Sequence, residues 1–325
     1  TPNTVAVGPD GLLYILDWNG GLLRFDPTSK TVTALPGLPG RANFDFYTPY
    51  GMAFSPTGEL FVTSGWDLRR VDLTTGTAPS AGNLEQAAAM VFGQDGTIYY
   101  VSRDDHRVRA RLPTGENIVL AGAGEPGYDG DGGPAELAHL NSPAGIARDA
   151  AGNLYISDAQ NSRVRMIDAQ TGVISTIAGT GNPGYNGDNL SALETNLGWP
   201  QGLTFDPAGN LIISAESRIL KLDSTTGQIT AIVGNGSYTF SGDGGPAIAA
   251  GIGVPGSVSF DPAGNLYFDD GYRVRKVTAA TGIIETAVGN GEYLFCGEGV
   301  PAREACLSIA YGIDIDSQQN VLFTG

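Results

Sequence analysis

Short apolar or β-branched runs, each closed by a turn of Gly, Pro, Asp or Asn, recur along the whole chain. In the stretch that begins at Gly202, such runs fall at Leu203–Phe205, Leu211–Ser214, Ile219–Leu222 and Ile229–Val233. Runs this short with turn residues between them predict strands, not helices. Between the first two lies Asp206-Pro207-Ala208-Gly209-Asn210, where Pro fixes φ and Gly admits a positive φ. Thr226-Gly227 separates the last two. The unit is therefore a four-stranded antiparallel meander, with strands A to D.

The same unit recurs from Gly145 and from Ser257 almost residue for residue, and more weakly from Val5, Gly51 and Met90. A further copy from Gly312 has only strands A and B. One two-faced sheet cannot bury both faces alone, so the copies must stack around an axis. The fold class is all-β, a β-propeller of four-stranded antiparallel blades, with six complete repeats and a two-strand seventh. A seven-position ring is favoured over six, because a six-bladed ring leaves no axial slot for the extra A strand. Residues 1–325 are read as one domain, with blades at about 4–36, 50–79, 88–122, 144–179, 201–234 and 256–289 and a partial blade at 311–325.

Two motifs recur with the blades: the A–B turn (149–153, 206–210, 261–265) and an Asp-x-x-Asn-x-Arg-Val-Arg stretch. The second is complete at Asp158, Asn161, Arg163, Val164 and Arg165, and partial around Arg107–Arg109 and Arg273–Arg275. Together they make the chain resemble the NHL-repeat family over nearly its whole length. The Arg pairs alternate sides of strand C and are expected to bond carboxylates and carbonyls of neighbouring blades.

The connections from D to the next A are long at 38–49, 121–143, 179–200, 234–256 and 289–311, and connections of that length usually carry function. Four of them share a Gly-Asp sub-motif: 127–135, 184–188, 240–247, and 295–302 with Glu298 in place of Asp. Similar loops occur in bacterial NHL proteins and in the teneurin-type NHL domain, a resemblance that implies an extracellular scaffold. Two readings of the acids stand side by side: turn acids that bond backbone amides, or hard oxygen ligands for Ca²⁺ at Asp129, Asp131, Asp188 and Asp243. The 38–49 connection differs, since Phe44, Phe46, Tyr47 and the adjacent Tyr50 cluster aromatics on one face. With Trp18 and Trp66 they are the candidate partner-binding residues; plugging the channel mouth is the alternative.

Charge narrows the partners. The net charge is −16 with only 18 Lys and Arg, and no basic stripe is present, so nucleic acid is not expected. No apolar run approaches the length of a membrane span, so no membrane insertion is expected. Cys296 and Cys306 sit ten residues apart in one connection, the spacing of a local disulfide in an oxidising compartment. A secreted or cell-surface protein of bacterial type is the expected setting. The N-terminal Thr1-Pro2-Asn3 leads straight into a strand, as in a processed or trimmed chain.

Enzyme chemistry finds little footing in the sequence. Zinc sites of the NHL amidating lyases need a histidine cluster, and the chain has only His106 and His139, in different loop classes. Streptogramin-lyase-type propellers also depend on histidine, and no Gly-x-Ser-x-Gly elbow is present. The expected function is an interaction or structural scaffold that binds a protein or glycan through the face of the long D–A loops. Strand addition at the half-blade 311–325 is a second expected contact. The alternative is a Ca²⁺-dependent lactonase or esterase with the ion in the channel.

Overall fold

The computed structural model of the chain describes residues 2–7, 13–17, 22–26, 31–34, 49–64, 66–73, 77–261, 263–292, 303–304, 313–315 and 321–323. All regular structure among them is β, apart from four 3₁₀ turns of three residues each. Strands β1–β4 (Pro2–Val7, Leu13–Asp17, Leu22–Asp26, Thr31–Ala34) form the first sheet, and β5–β8 (Pro49–Phe54, Leu60–Ser64, Asp67–Val71, Ser80–Asn83) the second. The third is β9–β12 (Ala87–Phe92, Ile98–Ser102, Arg107–Arg111, Asn117–Ala121) and the fourth β13–β16 (Pro143–Arg148, Leu154–Asp158, Arg163–Ile167, Ile174–Ala178). A two-residue strand, β17 (Leu190–Ser191), joins β18–β21 (Pro200–Phe205, Leu211–Ala215, Arg218–Leu222, Gln228–Val233) in the fifth. The sixth is β22–β25 (Val258–Phe260, Leu266–Asp269, Val274–Val277, Ile284–Val288), and β26 and β27 (Ile313–Ile315, Val321–Phe323) pair alone.

The chain is thus an all-β propeller of antiparallel four-stranded blades, each strand hydrogen-bonded to its neighbour in sequence. Five described sheets have the expected four strands; the fifth sheet has five, because β17 adds to the outer edge of β21 through Leu190↔Ile229 and Ser191↔Gln228. The repeat rule overlooked that strand because its residues lie inside a Gly-rich connection.

Two compact units are distinguished: Leu84–Ile232, and Thr1–Asn83 with Val233–Gly325. In the first, the A strands β9, β13 and β18 lie side by side. In the second, β22, β26, β1 and β5 follow one another in the same way. Alternate residues of each blade bury against the next: Val101, Val108, Ile146, Ile156 and Ile174 form one cluster, and Val164, Leu197, Ile213, Leu220 and Ile229 another. Hydrophobic burial of this kind stabilises by about 25 cal/mol per Å² of apolar surface.

The A–B turns are closed by the Asp and Asn of the repeat. Asp206 Oδ1 accepts the Asn210 backbone N–H at 2.8 Å and its Oδ2 accepts Asn210 Nδ2–H at 2.8 Å. Asp149 with Asn153 and Asp261 with Asn265 repeat the pattern. In these three blades the A–B end is held by local hydrogen bonds, as its short repetitive turns predict.

Candidate partner-binding loops

On the fourth, fifth and sixth blades the preceding D–A connection does not lie free but reaches onto the blade. In the fourth blade, Gly132 N–H donates to Ile174 O at 2.8 Å and Ile174 N–H donates to Gly133 O at 3.0 Å, so the loop runs along the outer edge of β16. The sixth blade repeats this with Gly244 and Gly245 on Ile284, and in the fifth the contact lengthens into β17. Edge strands with unpaired backbone groups invite pairing, and these loops cover them.

Side chains lock the loops down. Arg165 is fully buried; its guanidinium donates to Asp131 at 2.9 Å, to the Asp129 carbonyl at 3.0 Å and to Asp158 at 3.5 Å. Arg275, equally buried, holds Asp243 at 2.8 Å, the Ser241 carbonyl at 3.1 Å and Asp270 at 2.9 Å. Tyr128 stacks on Arg163 with the guanidinium 3.7 Å from the ring centre, and Phe240 stacks on Arg273 at 3.8 Å. In the fourth and sixth blades Arg165 and Arg275 therefore do bond carboxylates and carbonyls, but the carboxylates are those of the loop and of the end of strand B or the residue after it.

The four acids considered as Ca²⁺ ligands are placed as follows. Asp131 and Asp243 face Arg165 and Arg275. Asp188 accepts from the Tyr185 hydroxyl and from the Ala231 backbone N–H at 2.7 Å. Asp129 accepts the His139 backbone N–H at 3.1 Å and lies 2.9 Å from His139 Nδ1; those bonds hold its carboxyl below the usual range. What Asp129 does, Asn186 and Ser241 do in the next two loops, accepting the backbone N–H of Asn196 and Gly251 at 2.7 and 3.0 Å. The shared requirement at that position is an acceptor, not a charge. Among the described residues no group of three His, Cys, Asp or Glu comes together as an ion site. Glu298, Cys296 and Cys306 lie outside the described residues.

Of the aromatics picked out by sequence, Trp18, Phe44, Phe46 and Tyr47 lie outside the described residues, and Tyr50 is placed only as part of β5. Trp66 sits on the B–C turn of the second blade and is 56% exposed. Trp199 is also 56% exposed, just before the A strand β18. Tyr238, in the connection before the sixth blade, is 61% exposed. Leu137, Leu193 and Ile248 stand out from the 3₁₀ turns of three successive connections. Their shared signal was the Ala that anchors each turn beside an apolar residue, legible only once the loops are aligned.

Two carboxyls are buried at the ends of B strands. Asp158 accepts the Asn141 N–H at 2.7 Å and Asn161 Nδ2–H at 2.8 Å; burial pushes its pKa up to about 6 against those donors and Arg165. Asp269 accepts the N–H groups of Gly256 and Ser257 at 2.9 and 2.7 Å, and burial pushes it up to about 7. Both bond the backbone at the start of a D–A connection's target strand or just before it, which makes them loop anchors. His106, the other histidine, accepts the Ser142 N–H at Nδ1 at 3.0 Å.

Residues 124–184 match the Teneurin NHL domain family. Teneurin-m of Drosophila melanogaster is 26% identical over 260 residues, which cover 70% of this chain and 9% of that protein. Among solved structures, a streptogramin B lyase superposes with a TM-score of 0.62 at 16% identity over 99% of this chain and 89% of that one. A nidogen/laminin complex chain gives 0.62 at 18% over 95% and 99%. The extracellular domain of a putative one-component system from B. thetaiotaomicron gives 0.63 at 13% over 98% and 36%. At these identities the solved structures share the fold and no more. No helix among the described residues is long and apolar enough to cross a membrane.

Proposed function

We propose that this chain, an NHL-repeat β-propeller, is a secreted or cell-surface interaction module that binds a protein or glycan partner with the blade ends formed by its D–A connections and B–C turns. The observation that carries this reading is the placement of exposed aromatics on those loops: Trp66, Trp199 and Tyr238 are each more than half exposed. Exposed aromatic rings on loops are the residue type that anchors protein and glycan interfaces. The acids of the same loops support it from the other side. Asp131 and Asp243 are engaged by buried arginines, which leaves them to hold the loops in shape.

The setting outside the cell is supported by the likeness to teneurins and to an extracellular domain, and protein binding by the likeness to a chain of the nidogen/laminin complex. In the same reading the two-stranded sheet of β26 and β27 occupies a seventh blade position, since β26 lies between β22 and β1. The test is a screen of the labelled chain against purified extracellular proteins and a glycan array, repeated with Trp66→Ser and Trp199→Ser. A partner lost by either variant at unchanged melting temperature supports the reading. A partner retained by both, bound through the A–B turns, overturns it.

A further inference from the structure

Blades four, five and six each receive a clasp from the preceding connection: an aromatic ring on the first Arg of strand C and a backbone segment on the edge of strand D. The third blade has the receiving parts without the clasp. Its preceding connection is only Leu84–Gln86, between β8 and β9, too short to reach the outer edge. β12 is terminal in its sheet, whereas Pro134 and Pro246 bridge to Val173 and Ile283 beside β16 and β25.

The seat for the ring is built in full. Arg107 Nη2–H donates to Ala123 O at 3.2 Å, as Arg163 does to Thr180 O at 2.8 Å and Arg273 to Asn290 O at 3.0 Å. Each guanidinium lies against a glycine, Gly124, Gly181 or Gly291, so closely that a Cβ there would overlap it. On the outer face Arg163 carries Tyr128 and Arg273 carries Phe240; among the described residues no ring covers Arg107. Arg109, the equivalent of Arg165, is 6% exposed and is held by Glu85 at 2.8 Å and by Asp105. Glu85 thus stands in for Asp131.

We propose that the outer side of the third blade is a peptide-binding site, which takes an extended segment of a partner protein in the manner of the chain's own clasps. An aromatic side chain of that segment stacks on Arg107, and its following residues pair with the edge of β12 at Val119. The segment carries no carboxylate where the cis clasps carry Asp131 and Asp243, because Glu85 already fills that place and would repel it. Val119, 42% exposed, and the uncharged run Asn117–Ala121 carry none of the charges that protect a sheet edge. This site lies on the outer edge of a blade and does not depend on the loop-face reading above.

The probe is a fluorescein-labelled peptide of sequence Gly-Tyr-Asn-Gly-Asn-Gly-Gly-Pro-Ala, followed by anisotropy on the full chain. Saturable binding is expected. It weakens about threefold to thirtyfold in Arg107→Ala, the range of a cation–π contact, and by the same factor when the peptide's Tyr is Ala. Val119→Pro removes the outward edge and abolishes binding; since the peptide-side change leaves the protein untouched, misfolding of a variant cannot mimic the result. Amide exchange at Val119 slows on saturation. Absence of saturable binding, or binding indifferent to both Arg107→Ala and the Tyr change, overturns the proposal. So does a dimer that Val119→Pro dissolves and the peptide does not displace, which would give the edge to a second copy of the chain.

Discussion

The fourth and fifth blades solve one packing problem in opposite ways. In the fourth, Asp131, Arg165 and Asp158 line up as a carboxylate, a buried guanidinium and a buried carboxylate. In the fifth, the residues at those positions are Asp188, Leu220 and Ala215; Leu220 and Ala215 belong to an apolar cluster. Both buried members changed together, and the fold of the blade is the same. Removing one partner of a buried ion pair costs far more than removing both, since the survivor is a charge with no partner in low dielectric. The fifth blade shows the pair replaced as a unit. Its Asp188, relieved of an arginine, turns to Tyr185 and Ala231, and the loop gains β17 in place of the charge.

The comparison breaks most visibly at Arg165. Arg165→Leu alone is expected to cost about 3–5 kcal/mol, because Asp158 is left fully buried beside Leu. Arg165→Leu with Asp158→Ala, the fifth blade's solution, is expected to recover most of that loss. Urea unfolding of the two variants and of Asp158→Ala measures the coupling directly. Equal loss in the single and double variants would mean that the guanidinium acts through its bonds to the Asp129 and His139 carbonyls instead.

Proton binding gives the next effect. Asp158 and Asp269 ionise less readily in the folded chain than in the unfolded one, near about 3.9. Such groups give their full contribution below the unfolded value and lose it as pH rises through about 6 and about 7. Asp105 and Asp129 run the other way, being held low in the fold, so their contribution is lost as pH falls below about 4. Stability is therefore expected to peak at mildly acid pH and to fall on the order of a few kcal/mol by pH 8. A flat profile between pH 5 and 8 would contradict this, and Asp269→Asn should flatten its upper part.

Much of this was legible in the sequence, and for identifiable reasons. The meander and its A–B turns were readable because Asp206, Asn210 and their copies recur at fixed offsets, and each does the same local job. The fate of Arg165 was half readable: its spacing gave alternation on strand C, but its partner Asp131 lies 34 residues earlier, across a connection. The exposure of Trp199 was not legible, because Trp-Pro before a strand says nothing of the neighbours in space that set it. That no ring among the described residues covers Arg107 was not legible in the sequence, since it follows from what the short connection at 84–86 can reach.

Smaller effects sharpen the picture of the clasp. Tyr128→Ala removes a ring from Arg163 and a hydrogen bond from its hydroxyl to Asp131 at 3.2 Å, and is expected to cost about 1–2 kcal/mol. Phe240→Ala, which removes the ring alone, is expected to cost less. The reverse order would place the weight of the clasp on stacking.

The smallest expected effect concerns Ca²⁺. A cation that bound Asp131 or Asp243 would have to displace a buried guanidinium, and so strand Arg165 or Arg275 without its carboxylate. A ligand stabilises a fold only as far as its occupied state is favoured over the empty one. The midpoint of thermal unfolding is therefore expected to be the same in EDTA and in millimolar Ca²⁺. A rise that vanishes in Asp188→Asn would place the ion in the fifth blade's loop, the one of the three whose acid faces no arginine. A rise that survives Asp188→Asn would instead point to acids elsewhere in the chain and favour the hydrolase alternative.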